Sequence, residues 1–206
     1  MSIDLLFEQI QSLLESQGPR SIIGIVGKPG AGKSTVVLEI EKKFTPNEVS
    51  IIPMDGYHLS NETLIELGRR DRKGAPDTFD TDAFTSLITK VKNNPQLDHH
   101  FPIFHREVEA SIEGEGLVPS SAKVIVVEGN YLFSDQHNWS GVFPLLDHTW
   151  YIEIDDELRM QRLIARHIKY GKTPAEAEAW SRGSDEANAR FIELTAHRAA
   201  SIIKLA

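Results

Sequence analysis

Apolar positions along the chain follow two alternating periods. Ile3, Leu6, Phe7, Ile10, Leu13 and Leu14 recur at helical spacing until Gly18-Pro19 stops the pattern, which predicts an amphipathic opening helix within residues 1–18. Its stripe is expected to pack on the domain, with a homodimer contact as the alternative reading. Residues 21–26, SIIGIV, are then too continuously apolar and β-branched for a strand with one wet face, so a buried parallel strand is predicted. The runs 49–53 (VSIIP), 124–128 (VIVVE), 149–154 (TWYIEI) and 201–205 (SIIKL) share that character.

Helical spacing fills the intervals at 33–44, 81–92 and 156–170. Strands alternating with helices predict right-handed crossovers and a parallel sheet covered on both faces, an α/β architecture whose ligands gather at the carboxyl ends of the strands. Thr173, Pro174 and Glu176 read as a capping box opening another helix. Gly183-Ser184 is expected to interrupt that helix, with Ser184 capping a further one to about Ala199. Residues 105–122 carry Glu, Gly, Ser and Pro without clear period and read as a loop or hairpin beside the site.

Composition narrows the function classes. The chain has 206 residues, 40% hydrophobic and 25% charged, which suits one globular domain spanning 1–206. No cysteine is present, which excludes disulfides, thiolate catalysis and cysteine metal sites. The opening residues carry no Lys or Arg before Arg20, unlike a secretory or transit segment, and no apolar run approaches the roughly 18 residues that span a bilayer. A cytoplasmic protein with no membrane partner is the expectation. The formal net charge of -8 disfavours nonspecific nucleic-acid binding, but distant charges are screened and leave a nucleotide ligand open.

The strongest chemical signal is GKPGAGKST: Gly27, Lys28, Pro29, Gly30, Ala31, Gly32, Lys33, Ser34 and Thr35. It fits G-x-x-x-x-G-K-[ST] between a predicted strand and a predicted helix, so backbone N–H groups and the helix N-terminus would cradle phosphates. Lys33 would bridge the β- and γ-phosphates, and the Ser34 hydroxyl would hold Mg²⁺. No N-K-x-D guanine motif and no LSGGQ-type transporter signature occurs, which leaves kinases, other ATPases and ATP-sensing modules.

Two carboxylates end predicted strands. Glu128 in VIVVEGNYLF suits a water on Mg²⁺, and Asp55 in MDGYHLSN suits the group that orients and deprotonates an acceptor hydroxyl. A parallel sheet would bring both to the phosphate loop. Arg162 and Arg166, four apart on one helix, read as cations of a lid spanning about 156–183, whereas Arg159 reads as solvated. An acceptor pocket would draw on Tyr57, His58, Arg72, Lys73, His105, Arg106 and Tyr131, with His58 and Arg106 foremost.

In order, GKPGAGKST, MDGYHLSN, RKGAPDTFDTDAF, VIVVEGNYLF, RLIARHIKYG and NARFIELTAHRAASIIKL resemble the P-loop kinases that include uridine kinase, phosphoribulokinase and type I pantothenate kinase. DGYHLSN with KGAPDTFD is nearer the pantothenate kinase pattern, in particular the small, sugar-transport-associated kinases of that branch. The resemblance implies a P-loop nucleoside triphosphate hydrolase fold with five parallel strands in the order 2-3-1-4-5. It also implies ATP and Mg²⁺ as cofactors, Asp55 as base, Arg166 backed by Arg162 as lid arginines, and Asn188 and Arg198 near the adenine. The expected function is transfer of the γ-phosphoryl of ATP to a hydroxyl of a small molecule: a sugar, nucleoside, pantothenate-like compound or hydroxy acid. The alternatives are an ATP sensor without productive transfer and a nucleoside monophosphate-type kinase using Arg69, Arg70, Arg72 and Lys73 as a second anion site.

Overall fold

The structure, a computed structural model, describes residues 2–205. Five strands, β1 (Ser21–Gly27), β2 (Val49–Pro53), β5 (Val124–Glu128), β6 (His148–Glu153) and β7 (Ser201–Lys204), form one sheet in the order β2-β5-β1-β6-β7. Every pairing in it is parallel. Numbering only these strands gives 2-3-1-4-5, the order that the resemblance implies.

Side-chain alternation divides the core into two layers. Ile22 and Val26 of β1 join Ile125, Val127, Ile52 and the apolar face of α4 (Thr81–Asn93) on one side of the sheet. Ile23 and Ile25 point the other way, against α1 (Asp4–Glu15) and α2 (Lys33–Lys43) through Leu6, Ile10, Val36 and Ile40. The opening helix therefore packs on its own domain, since Leu6 and Ile10 are fully buried. Strands buried on both faces must be apolar at every position, which is why their sequence lacks alternation.

Three stretches depart from expectation. The hairpin read as one alternative for 105–122 is present but begins earlier than expected, with strand β3 (His99–His105) pairing antiparallel with β4 (Ala110–Val118). Pro102 lies at a register shift between Phe101 and Ile103, where a missing N–H costs no ladder bond. Gly183 and Ser184 do not break the helix that α6 (Pro174–Trp180) begins. The chain passes through a π-helical stretch, Ser181–Asp185, into α7 (Glu186–Glu193), and Ser184 caps nothing. Such a wide turn re-aims side chains, and Asp185 Oδ2 here lies 2.7 Å from His167 Nε2 of α5 (Asp156–Lys169). Arg159 is buried rather than solvated, paired with Asp156 and Glu186.

The local rules held elsewhere. Thr173 and Glu176 close the capping box, and Ser60 caps α3 (Asn61–Glu66) by accepting from Thr63 N–H. Among the described residues no helix is long and apolar enough to cross a membrane.

Candidate active site

The phosphate loop leaves β1 at Gly27 and enters α2 at Lys33. Gly30 and Gly32 hold φ values of 80° and 95°, the left-handed region that side-chained residues avoid. At Gly30 space is closed as well, because a Cβ would sit 2.9 Å from the Arg159 carbonyl oxygen. Lys28 reaches Asp156 Oδ1 at 2.7 Å, and Ala31 is buried beneath the loop, so it rests on the start of α5. Lys33 Nζ folds back to donate to the Gly27 carbonyl at 3.0 Å, and Glu128 Oε1 stands 3.8 Å from the same nitrogen. Pro29, Lys33 and Ser34 line the cavity above the sheet.

Asp55, Glu128, His58, Arg106, Arg166 and Asn188 line that same cavity. Asp55 arrives on a short turn after β2, and Gly56 explains its fixed position. A Cβ at residue 56 would lie 2.0 Å from the Pro102 carbonyl oxygen, so the Asp55 turn and the β3–β4 hairpin touch backbone to backbone. The glycine is needed for close approach rather than for an unusual φ. Asp55 Oδ2 accepts from Arg106 Nη2 at 2.7 Å. His58 is stacked between Phe79 and Phe104, ring centroids 4.1 and 4.7 Å away, and its Nδ1 donates to the Asp55 carbonyl at 2.7 Å.

Electrostatics separates the two carboxylates. Burial pushes the Glu128 carboxyl above the usual glutamate value; Lys33 opposes this and the neighbouring Asp55 charge adds to it. Burial would raise Asp55 too, but His58, Arg106, Lys33 and Arg166 together hold it below the usual aspartate value. Burial also lowers Lys33, Arg166 and His58. Once His58 is neutral its Nδ1 still donates to the carbonyl and its Nε2 is a hydrogen-bond acceptor, and Arg106, Lys33 and Arg166 are the cations left to hold Asp55 ionised.

Other expected site residues are engaged elsewhere. Tyr57 is buried against Phe84 and faces a separate groove beside the hairpin. Arg72 is held by both oxygens of Asp77. His105 pairs with Glu115 on the neighbouring strand, 2.5 Å away. Tyr131 is packed among Phe79, Trp139 and Phe191, its hydroxyl donating to the Gly74 carbonyl. Arg198 stacks on Phe143 and donates to the Phe133 carbonyl, outside the cavity. Asn188 reaches the cavity, but its amide donates to Gly74, which ties it to the loop bearing Lys73. Arg162 stands beside Gly32, its Nη1 3.6 Å from where a Cβ would be. Asn130, Lys172, Trp180 and Asp185 line the cavity without having been singled out, as does His167 of the basic helix that carries Arg162 and Arg166. Asn130 stands two residues past Glu128, the one position of this group that a strand-end reading marks.

The donor set fits a magnesium–nucleotide complex. Mg²⁺ takes one or two protein oxygens and completes its shell with waters and phosphates. Ser34, Glu128 and Asp55 share the cavity, and among the described residues no group of three His, Cys, Asp or Glu forms a self-sufficient cage.

Residues 22–205 match the Phosphoribulokinase / Uridine kinase family. The chain belongs to that family. A Schizosaccharomyces pombe relative named "Putative uridine kinase C227.14" is 32% identical over 202 residues, covering 93% of this chain and 86% of the relative. A Streptococcus pneumoniae pantothenate kinase is 33% identical over 128 residues, but the match covers only 60% of this chain and 41% of that one. The crystal structure of a "putative fructose transport system kinase" from Silicibacter sp. TM1040 superposes with a TM-score of 0.87 at 31% identity, covering 98% of each chain. Names among these relatives thus divide between uridine kinase, pantothenate kinase and fructose transport system kinase. Family and fold support the general activity, phosphoryl transfer by a P-loop kinase to a small molecule.

Proposed function

We propose that the protein is an ATP-dependent kinase that transfers the γ-phosphoryl group to a hydroxyl of a small molecule, with Asp55 as the acceptor base. It fits the small, sugar-transport-associated branch of its family. The observation that carries this reading is the meeting of Asp55, Glu128 and Lys33 at one cavity above the carboxyl ends of β1, β2 and β5. A nucleotide sensor has no use for the first of them.

The polyphosphate lies along Gly27–Thr35, where backbone N–H groups and the N-terminus of α2 receive it. Lys33 then leaves the Gly27 carbonyl for the β- and γ-phosphates. Ser34 would hold Mg²⁺ through its hydroxyl and Glu128 through a water, and the ion would supply charge neutralisation at the phosphate oxygens. Asp55, ionised at neutral pH because of the surrounding cations, accepts the proton of the acceptor hydroxyl as its oxygen attacks phosphorus in line. His58 Nε2 takes a second hydroxyl of the acceptor. Arg166, with Arg162 beside the loop, supplies positive charge to the transferring group.

The lid is narrower than residues 156–183. The first half of α5 is fastened to the phosphate loop through Asp156 and Arg159, so closure involves Arg166 onward, including Lys172 and Trp180. The monophosphate-kinase reading loses support because Arg69 and Arg72 are committed to Asp77 and Arg70 to Glu109.

Acceptor-stimulated ADP release tests the assignment across sugars, nucleosides, pantothenate and hydroxy acids. Asp55→Ala is expected to lower stimulated release by about 10²- to 10⁴-fold while ATP-analogue affinity changes little. Unchanged turnover in that variant would remove Asp55 as base.

A further inference from the structure

The cavity carries more positive charge on its acceptor side than a neutral hydroxyl compound requires. Lys73 and Arg106 both line it together with His58, Lys73 near the Phe104 ring that packs on His58 and Arg106 on Asp55. Lys73 is half-buried and, among the described residues, is in no ion pair. Its Nζ donates to Asn61 Oδ1 at 2.8 Å and to the Glu109 carbonyl at 2.9 Å, and lies 5.2 Å from the Phe104 ring centroid. Burial lowers the Lys73 pKa while the nearby Glu109 and Glu62 charges oppose this without pairing with it, so the half-buried ammonium has no ion partner of its own and is open to an anionic ligand. Arg106 has a carboxylate, but that carboxylate is Asp55. While the pair persists, a guanidinium occupies an oxygen that must receive the acceptor's proton. Arg106 sits immediately after β3, at the start of the hairpin turn, with its side chain 40% exposed, so it can swing off Asp55 without unpacking the core.

We propose that the acceptor is a hydroxyl compound bearing an anionic group, carboxylate or phosphate, which Lys73 and Arg106 bind together. Its arrival draws Arg106 off Asp55 and frees the base. The anion completes the shell of Lys73 and replaces Asp55 as the partner of Arg106, so neither cation is left unpaired. An acceptor without the anion leaves Arg106 on Asp55 and reacts slowly. Specificity and activation then share one arginine. The chain's formal charge of -8 makes this local excess of cations a property of the site rather than of the protein.

This inference rests on the kinase reading with Asp55 as base, so binding is measured alongside turnover to tell a failure of the one from a failure of the other. Three matched pairs differ in the anion: D-glycerate and glycerol, pantothenate and its alcohol, and fructose 6-phosphate and fructose. Each is tested for ADP release and for thermal shift of the protein loaded with a non-hydrolysable ATP analogue and Mg²⁺. The expected result is that at least one anionic member exceeds its neutral partner by about 10- to 100-fold in kcat/KM. That preference should collapse in Arg106→Gln and Lys73→Met, and return in part in Arg106→Lys. A merely structural arginine would lower both members of a pair equally. The carboxylate and phosphate arms report which anion is taken. Preferred turnover of a neutral member overturns the inference and leaves the kinase reading standing. Anion-specific thermal shifts lost in both variants, with no stimulated ADP release, retain the anion site and overturn the kinase reading. Absence of any anion-specific shift or turnover overturns the inference.

Discussion

The two ends of the parallel sheet both carry buried charge, and they treat it in opposite ways. At the amino end, Arg20 is 7% exposed and its guanidinium donates to five carbonyl oxygens, those of Val91, Pro95, Pro119, Ser120 and Ala122. Asp147 there accepts from Ile22 N–H and Lys92. These groups have fixed, complementary partners that fasten α4 and the approach to β5 onto β1. At the carboxyl end, like charges crowd one another. Burial lowers Lys33, and Arg166 and Arg106 add to this against Glu128 and Asp55; burial raises Glu128 and Asp55 adds to this, and Lys33 Nζ bonds its own loop at the Gly27 carbonyl. A satisfied network contributes stability, whereas a site that must receive charge from a ligand is left short of it.

The contrast yields graded expectations. Arg20→Met should have the largest effect on stability, about 3 kcal/mol or more, because several part-buried carbonyls lose their donor at once. A lowered urea midpoint with nearly unchanged kcat/KM, measured where the variant is still folded, checks it. Gly56→Ala follows at about 1–3 kcal/mol, since its Cβ must displace the Pro102 carbonyl. This change should also lower turnover, because the turn it moves carries Asp55; equal thermal stability of the variant and the parent would break the close-approach account.

A smaller effect lies in the pH dependence. In its proposed role Glu128 would have to be ionised to hold a water on the metal, and burial raises its pKa, so magnesium-dependent ATP affinity should fall on acidification at a pH above 4.5, the ordinary glutamate value. In Asp55→Asn, which lacks the neighbouring negative charge, the midpoint of that fall should move down in pH. Titrating nucleotide affinity in both proteins reads the shift, and a midpoint that stays put would show that the carboxylates do not sense each other.

How far each end could be read from sequence follows the same division. Strands buried on both faces and the phosphate loop have local signatures, and SIIGIV, VIVVE and GKPGAGKST lie where their patterns put them. Asp55 and Glu128 were legible because parallel topology sends strand ends to one place. Arg20 was not, since its five partners lie 71 to 102 residues away along the chain. Strand β3 was masked by Pro102 and by three histidines at its two ends, His99, His100 and His105, which do not alternate as a strand should. Tyr57, Arg72 and His105 have the chemistry of an acceptor site, but their direction depends on the hairpin and on Asp77 and Glu115, which no local pattern joins to them.

The division between the ends is tested most directly by Glu128→Gln, followed at pH 7 by thermal unfolding and acceptor-stimulated ADP release. Burial makes the ionised Glu128 costly in the folded state, so the neutral isostere should unfold at an equal or slightly higher temperature while ADP release falls about 10²-fold or more. A variant that loses stability along with activity, as Arg20→Met is expected to lose stability, would contradict the account.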